Sequence, residues 1–189
     1  MAGVRFDPRK ADKLINPKRY ELITPEKTIE RFGIKQGDIV ADLGAGNGVF
    51  TIPIAEKTKT KVYAVDIEPQ MLTLLEERAK KANLDEIVYV TSDLQDIKIE
   101  DHSVDHALIS LVLHEVSDLK LVLAAVKRIL KTDGQLLIIE WEAVDSKMGP
   151  PLNERISSNA MKKILEKNDF KVEIVELAPV IYGMIAKPI

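Results

Sequence analysis

The stretch that most constrains this chain is Ile39–Phe50, IVADLGAGNGVF, in which an apolar run ends in one acid and three closely spaced glycines follow. The pattern predicts a short buried strand over Ile39–Leu43, a tight turn over Gly44–Gly48 and a helix over Val49–Lys57. Glycine lets backbone pass close to a ligand because no Cβ intervenes, and such a turn leaves free amide N–H groups at a helix N-terminus. We expect the turn to bind a nucleotide-like or carboxylate-bearing ligand.

Strand and helix patterns alternate along the chain after this turn. Four more apolar runs of strand length follow, at Lys61–Asp66, Ile87–Thr91, Val104–Leu111 and Gln135–Glu142. Amphipathic helices are predicted between them, one opening at Pro69 and one capped by Ser117. Strands this apolar, separated by helices, indicate a parallel sheet that is covered on both faces.

The C-terminal part departs from this alternation. Residues Ala143–Glu154 predict a stiff loop because they are rich in proline and glycine, and a helix is predicted over Ser157–Asn168. The final strands, Lys171–Leu177 and Val180–Lys187, are joined by two residues, a link too short for a parallel crossover. The predicted fold class is therefore α/β, a three-layer αβα Rossmann-like sandwich with a seven-stranded, mostly parallel sheet and an antiparallel C-terminal hairpin.

Local signals set the remaining boundaries. Thr24 and Pro25 predict a helix start, since threonine can cap a helix and proline is tolerated in its first turn. The polar residues 95–103 predict a loop, and residues 132–134, Thr-Asp-Gly, predict a turn that leads into the fifth strand. We expect one domain over residues 1–189, with residues 1–30 as a covering segment.

Composition excludes several chemistries. The chain has no cysteine, so it has no disulfide, no thiolate nucleophile and no Cys-ligated zinc. Its formal charge of −3 argues against a protein that coats nucleic acid. The sequence shows neither the apolar core of a secretory signal nor a run long enough to span a membrane. We expect a cytoplasmic protein with a small-molecule partner, and the oligomeric state stays open.

Acidic side chains stand where the predicted strands end. Asp42, Asp66 and Asp93 end the first three strands, and His114 and Glu115 come just after the fourth. In open α/β sheets, ligands bind outside the carboxyl ends of the strands, where the strand order reverses. These five residues are therefore the candidates for a binding site.

The glycine spacing disfavours a dinucleotide. The NAD fingerprint is G-x-G-x-x-G, whereas the glycines here stand at 44, 46 and 48, and Val49 occupies the third fingerprint position. Asp42, directly before the turn, is poorly placed beside a pyrophosphate but well placed beside a positive charge. S-adenosylmethionine (SAM) has an ammonium, a sulfonium and no phosphate. SAM is therefore favoured, and NAD is kept as an alternative.

Several segments carry a family resemblance. In chain order they are DLGAGNG, AVDIEP, TSDLQD, LHEVSD and LKTDGQL. Together they resemble a class I SAM-dependent methyltransferase, and most of all the small UbiE-like (methyltransferase type 11) group. That group often shares an FDP…KAD…L…P.R element and a late GPP segment, which match Phe6–Arg19 and Gly149–Pro151 here. The resemblance covers nearly the whole chain and implies the same fold, with its antiparallel hairpin.

The resemblance implies roles for the cofactor residues. Asp66 would accept both ribose hydroxyls through charge-assisted hydrogen bonds, which are stronger than neutral ones. Asp93 would accept from the adenine amine, although Asp42 and Asp93 could instead be helix caps or turn formers. The remaining residues implied are Asp42, Gly44, Ala45, Gly46 and Gly48 at the methionine end of SAM, Ile67 on the adenine, the amide of Leu94, and Met71 and Leu111 in the cofactor site.

Histidine supplies the candidate catalytic group. Methyl transfer depends mainly on alignment and exclusion of water, because the sulfonium is already activated. His114, next to Glu115, has a pKa range suited to proton removal near neutral pH, and a hydrogen-bonded structural histidine is the alternative. His102 and His106 have no partner at metal-ligand spacing, so both are interpreted as structural and no metal is expected.

The residues around the last two parallel strands indicate what kind of molecule could accept the methyl group. The Asn/Asp-Pro-Pro-aromatic motif of amino-group nucleic-acid methyltransferases is absent after the fourth strand, where Leu113–Glu115 stand. Met148 and the following prolines could form an apolar lid or simply pack the loop. Glu140 and Glu142 are expected to be solvated, with cation binding as the alternative. We expect a SAM-dependent methyltransferase acting on a small molecule; the alternative is a non-catalytic SAM-binding sensor or partner protein.

Overall fold

A computed structural model describes residue 9, residue 11 and residues 14–189 of the chain. Its central sheet consists of β1 (Val40–Leu43), β2 (Val62–Asp66), β3 (Ile87–Thr91), β4 (Val104–Ser110), β5 (Leu130–Trp141), β6 (Phe170–Ala178) and β7 (Ile181–Pro188). The strands lie in the order β3-β2-β1-β4-β5-β7-β6. Strands β1 to β5 are parallel, and β7 is antiparallel to both β5 and β6. The predicted sheet and its terminal hairpin are confirmed.

Helices cover both faces of this sheet. They are α1 (Pro17–Ile23), α2 (Pro25–Arg31), α3 (Thr51–Thr58), α4 (Pro69–Lys81), α5 (Leu119–Ile129) and α6 (Ser158–Lys167). Ala41 and Leu43 of β1 pack in one hydrophobic cluster with α5 and α6, whereas Val40 packs in a second cluster with α2, α3 and α4. This division follows from the two-residue period of a strand. The predicted three-layer sandwich is confirmed.

The strand order reverses at β1, which pairs with β2 on one side and with β4 on the other. The connections that leave the carboxyl ends of β1 and β4 therefore diverge, and a crevice opens between them. Residues Leu113–Glu115 form a short 3-10 turn after β4, at the rim of this crevice. The fold thus brings the predicted strand-end residues to one edge of the sheet.

The start of α5 differs from the prediction. Asp118, and not Ser117, caps this helix: Asp118 Oδ1 accepts the N–H groups of Lys120 at 2.9 Å and Leu121 at 3.2 Å. The first N–H groups of a helix have no partner within the helix, and a carboxylate adjacent to the first turn can satisfy two of them. The prediction was wrong by one residue because both residue types are good caps.

The start of β5 also differs from the prediction. The turn expected over residues 132–134 is part of the strand, which begins at Leu130 directly after α5. Val104 pairs with Leu130, but His106 pairs with Gln135, so the intervening residues of β5 form a bulge. A turn signal in the sequence cannot be distinguished from a bulge, because both use residues that tolerate unusual backbone angles.

The predicted covering segment over residues 1–30 lies partly outside the described residues, and so does the Phe6–Arg19 element. Within the described part, Ala11 is buried and its carbonyl accepts a hydrogen bond of 3.0 Å from Asn47 Nδ2 in the glycine turn. The segment therefore contacts the turn directly. Among the described residues, none of the helices is both long enough and apolar enough to cross a membrane.

Candidate functional site

A cavity of about 1250 Å³ opens at the carboxyl ends of β1, β2 and β4. Twelve of the thirteen predicted site residues line it. They are Asp42, Gly44, Ala45, Gly46, Asp66 and Asp93; the apolar residues Ile67, Met71, Leu94 and Leu111; and the candidate catalytic residues His114 and Glu115. The structure therefore brings together residues that are up to 73 positions apart (115 − 42) in one space.

The glycine turn is held tightly against its neighbours. The amides of Gly44 and Ala45 both donate to the Val65 carbonyl, at 2.8 and 2.9 Å. Gly44 has a φ of +82°, and a Cβ there would lie 2.6 Å from Cγ2 of Val112. A side chain at this position would strain the backbone and clash, so the turn between β1 and α3 requires glycine.

Gly48 is the predicted site residue that does not line the cavity. Its φ is +87°, and a Cβ there would lie 2.1 Å from Cδ1 of Leu75, a fully buried residue of α4. The absence of a side chain at Gly48 lets α4 pack closely against the turn. The structure thus gives this glycine a packing role.

Asp66 joins the end of β2 to the glycine turn. Its Oδ2 accepts the amide N–H of Gly46 at 2.8 Å, and its Oδ1 accepts the amide N–H of Glu68 at 2.9 Å. Burial raises the pKa of Asp66, and the hydrogen bonds from Glu68 and Gly46 partly oppose this. A carboxylate has about four acceptor sites, so Asp66 can also accept from ligand hydroxyls in the cavity.

Asp42 is nearly inaccessible to water at the end of β1. The residue is 2% exposed, and its Oδ2 accepts a 2.6 Å hydrogen bond from the Thr51 hydroxyl of α3. Burial raises the pKa of Asp42 to about 7. A buried carboxyl group at the edge of a cavity favours a positively charged neighbour, since an opposite charge stabilises its ionised form.

The outer part of the cavity is formed after β3 and β4. Asp93 Oδ1 accepts the amide N–H of Gln95 at 2.8 Å, so this carboxylate shapes the turn that holds it. Leu111 has a φ of +58°, which is uncommon for a residue with a side chain. Its amide donates to the Ile139 carbonyl at 2.8 Å, and this hydrogen bond holds the chain in place as it leaves β4.

His114 has a buried partner that the sequence analysis did not assign to it. Nδ1 of His114 lies 3.0 Å from both carboxylate oxygens of Glu140, at the end of β5. Glu140 is fully buried, and it also accepts the amide N–H of Trp141 at 2.8 Å. The expectation that Glu140 is solvated was wrong, because the turn after β4 covers it. Glu115, the expected partner, is more distant, with its Oε1 3.8 Å from His114 Nε2.

The charges around His114 favour its protonated form. Burial alone would lower the pKa of His114, but the hydrogen bond and charge of Glu140 outweigh burial, with further contributions from Glu115 and Glu154. The net result is a pKa above the usual value. Because a carboxylate only accepts hydrogen bonds, Nδ1 carries the hydrogen and Nε2 holds the lone pair in the neutral ring.

Arg19, from α1, also lines the cavity and was missed by the sequence analysis. Its Nε is buried and has no hydrogen-bond partner among the described residues. Burial lowers the pKa of Arg19, and the negative charges of Glu140 and Glu115 oppose this. Arg19 ends the Phe6–Arg19 element, which resembles that of the UbiE-like group, and this was the only signal in the sequence that could have identified it.

The other two histidines lie outside the cavity lining. His106 Nε2 is 3.2 Å from Asp38 Oδ2, and His102 Nδ1 is 3.0 Å from the Leu130 carbonyl oxygen. Glu142 accepts the amide N–H of Ser158 at 3.1 Å, at the start of α6. Within residues 9, 11 and 14–189, no group of three or more histidine, aspartate or glutamate side chains is arranged to hold a metal ion.

Comparison with known proteins identifies the family. Residues 41–138, about half of the chain, match the family described as a methyltransferase domain. The structure superposes on a SAM-dependent methyltransferase from Aquifex aeolicus with a TM-score of 0.91 and 33% sequence identity, covering 96% of this chain and 98% of the other. The chain belongs to the SAM-dependent methyltransferase family. The matched region contains the glycine turn, Asp66, Asp93 and His114.

Two other members of the family show the range of the similarity. A putative type 11 methyltransferase from Sulfolobus solfataricus has a TM-score of 0.71 and 33% identity, covering 88% of this chain and 93% of that one. A ubiquinone/menaquinone biosynthesis C-methyltransferase of Teredinibacter turnerae is 32% identical over 117 residues, which are 60% of this chain and 47% of the relative. The chain thus spans about half the length of the curated relatives it matches.

Proposed function

We propose that this chain is a SAM-dependent methyltransferase that transfers a methyl group to a small-molecule acceptor and releases S-adenosylhomocysteine (SAH). The observation that carries the proposal is the shared cavity. Its lining includes residues of the glycine turn, Asp42, Asp66 and His114, and the buried Glu140 holds Nδ1 of His114. This shared cavity supports the proposal of a cofactor site next to a proton acceptor.

The residues present fit SAM. Asp66 has acceptor capacity for ribose hydroxyls, and the nearly buried carboxyl of Asp42 suits a neighbouring ammonium. Arg19, in the same cavity, has an Nε without a hydrogen-bond partner among the described residues, and this group suits a ligand that carries a carboxylate. Ile67 and Met71 offer apolar surface for an adenine ring. When bound, SAM supplies an activated methyl group attached to a sulfonium.

His114 acts as the general base in this proposal. Glu140 keeps the hydrogen on Nδ1, so Nε2 accepts a proton from the acceptor as its nucleophilic atom attacks. The resulting imidazolium is stabilised by the buried carboxylate of Glu140. The surrounding apolar residues exclude water from the acceptor, and the fixed ring orientation lowers the entropy cost of reaching the reactive geometry.

Several properties of the acceptor and the whole protein are part of the proposal. A small-molecule acceptor is supported by the relative named for quinone biosynthesis and by the size of the cavity. Exclusion of nucleic acid is supported by the formal charge of −3. The cytoplasmic location and the single domain over residues 1–189 also belong to the proposal.

Calorimetry with SAH tests the cofactor part of this proposal. We expect saturable binding of SAH, and Asp66→Ala to weaken it by about 1–3 kcal/mol because hydrogen bonds to the ligand are lost. Asp96→Ala, a change of an exposed carboxylate in the loop after β3, is the matched control and should bind SAH normally. Absence of SAH binding to the unaltered chain would contradict the proposal.

Transfer of a radiolabelled methyl group tests the catalytic part. The chain is incubated with methyl-labelled SAM and a metabolite extract, and labelled small molecules are separated from protein and nucleic acid. We expect label in the small-molecule fraction, and at least a tenfold lower rate for His114→Asn, since its side chain cannot take up a proton near neutral pH. Cofactor binding with no transfer would instead favour the non-catalytic sensor.

A further inference from the structure

The loop after β5 forms one wall of the cavity. Residues 147–151 line the cavity beside Trp141. Between Trp141 and the start of α6, the chain forms no strand and only one short 3-10 turn, Leu152–Glu154. Because a loop of this kind has few backbone hydrogen bonds of its own, side chains must hold its shape.

The side chain of Arg155 makes five hydrogen bonds to this loop. All three nitrogens of its guanidinium group donate to the loop. The acceptors are the carbonyl oxygens of Pro150 (2.9 Å), Val144 (2.8 Å), Met148 (2.6 Å) and Glu142 (3.4 Å), and the hydroxyl oxygen of Ser146 (3.0 Å). Arginine alone offers five donors in a rigid plane, so no other side chain could bind this set of acceptors.

The same guanidinium group also fixes the loop against Trp141. Its central carbon lies 5.6 Å from the centre of the Trp141 ring. Gly149 is so close to this ring that a Cβ would lie 2.7 Å from Cδ2. Arg155, the loop and Trp141 therefore form one packed unit, whose other side faces the cavity.

The surface that this unit presents is mainly apolar. Trp141, Met148, Pro150 and Pro151 all line the cavity there, and the charged residues Lys147 and Glu154 stand at the two ends of this stretch of the lining. Flat apolar rings pack well against tryptophan and proline, because both offer rigid faces. The cavity thus matches a molecule with an apolar ring system and a separate polar group.

We infer that Arg155 is a positioning residue that holds the loop against Trp141 and so shapes the wall on which a ring-bearing, apolar acceptor packs. The inference rests on the proposed function, since it assigns the acceptor side of the same cavity. It identifies the class of acceptor as one with a flat apolar ring system, whose nucleophilic atom is directed toward His114.

A fluorescent ring compound tests the inference directly. Trp141 is the only tryptophan in the chain, so energy transfer from tryptophan to 1-anilinonaphthalene-8-sulfonate (ANS) reports probe bound beside it. With SAH at saturation, we expect ANS to bind the unaltered chain. Arg155→Gln should weaken ANS binding at least tenfold while changing the SAH dissociation constant less than twofold. If Arg155 only stabilised the fold, Arg155→Gln would weaken the binding of ANS and of SAH alike.

Arg128 provides a matched control. It also donates to loop carbonyl oxygens, those of Ile97 and Ile99, but it does not line the cavity. Arg128→Gln should therefore leave ANS binding unchanged. Arg155→Lys keeps the charge but has one nitrogen, and it should behave like Arg155→Gln. Gly149→Ala, which pushes the loop away from Trp141 with Arg155 in place, should also weaken ANS binding.

Three results would overturn the inference. They are failure of ANS to bind the unaltered chain, normal ANS binding by Arg155→Gln, and equal loss in the Arg155 and Arg128 variants. Melting curves of each variant without ligand show whether it is folded; if Arg155→Gln is unfolded, Gly149→Ala decides. If the unaltered chain fails to bind SAH, the proposed function fails, and ANS binding without SAH still tests the wall.

Discussion

Asp42 is a carboxyl group held almost completely out of water at the end of β1. Its pKa in the folded chain is about 7, whereas an aspartate in an unfolded chain titrates near 4. The folded state therefore prefers the neutral acid. This preference contributes stability that is fully present below about pH 4 and is lost as the pH rises to about 7.

Replacing Asp42 with asparagine should remove this pH dependence. Asparagine has nearly the same shape, can still accept from the Thr51 hydroxyl and is never charged. From pH 4.5 to pH 8, the free energy of unfolding of Asp42→Asn should rise relative to the unaltered chain by on the order of 2–4 kcal/mol. Urea denaturation at both pH values measures this; a difference that is the same at both would contradict the prediction.

The pair of His114 and Glu140 leads to a second prediction for individual residues. The raised pKa of His114 depends on the carboxylate of Glu140, so Glu140→Gln should lower this pKa. Histidine NMR titration measures the change. His106, whose pKa burial lowers and whose partner is Asp38, should titrate as before and serves as the internal control. An unchanged His114 pKa would show that Glu140 does not govern it.

At the scale of elements, the contact between the glycine turn and α4 determines the local packing. Gly48→Ala adds both a strained backbone and a clash with Leu75, and should destabilise the chain by about 2–4 kcal/mol. Gly37 is the matched control, because its φ is +91° but a Cβ there would meet nothing within 4 Å. Gly37→Ala should cost only about 1 kcal/mol. Urea denaturation compares them, and equal losses would exclude the packing role.

The elements also show where local signals are sufficient. Pro69 opens α4 as predicted, and α6 begins at Ser158, next to the predicted start at Ser157, because these starts depend on neighbouring residues alone. The start of β5 was not predictable in this way. Whether residues 132–134 turn or bulge depends on pairing with β4, which is distant in sequence.

For the whole molecule, ligand binding should raise stability by mass action. SAH at 100 times its dissociation constant should add about 2.7 kcal/mol to the free energy of unfolding. For a chain of this size, that corresponds to a rise in melting temperature of roughly 5–10 °C. Differential scanning fluorimetry measures it. Asp66→Ala at the same SAH concentration should show a smaller rise; an equal rise would mean that Asp66 does not contact the ligand.

The sequence alone determined the alternation of strands and helices along the chain, the glycine turn and the acids at the strand ends. Each of these depends on residues close together in the chain, through periodicity, turn chemistry and helix capping. Tertiary structure alone decided that Glu140 is buried against His114, 26 residues away, and that Arg155 holds its loop to Trp141. Burial and long-range hydrogen bonds depend on how elements pack, and a polar residue in the sequence carries no sign of which surface will cover it.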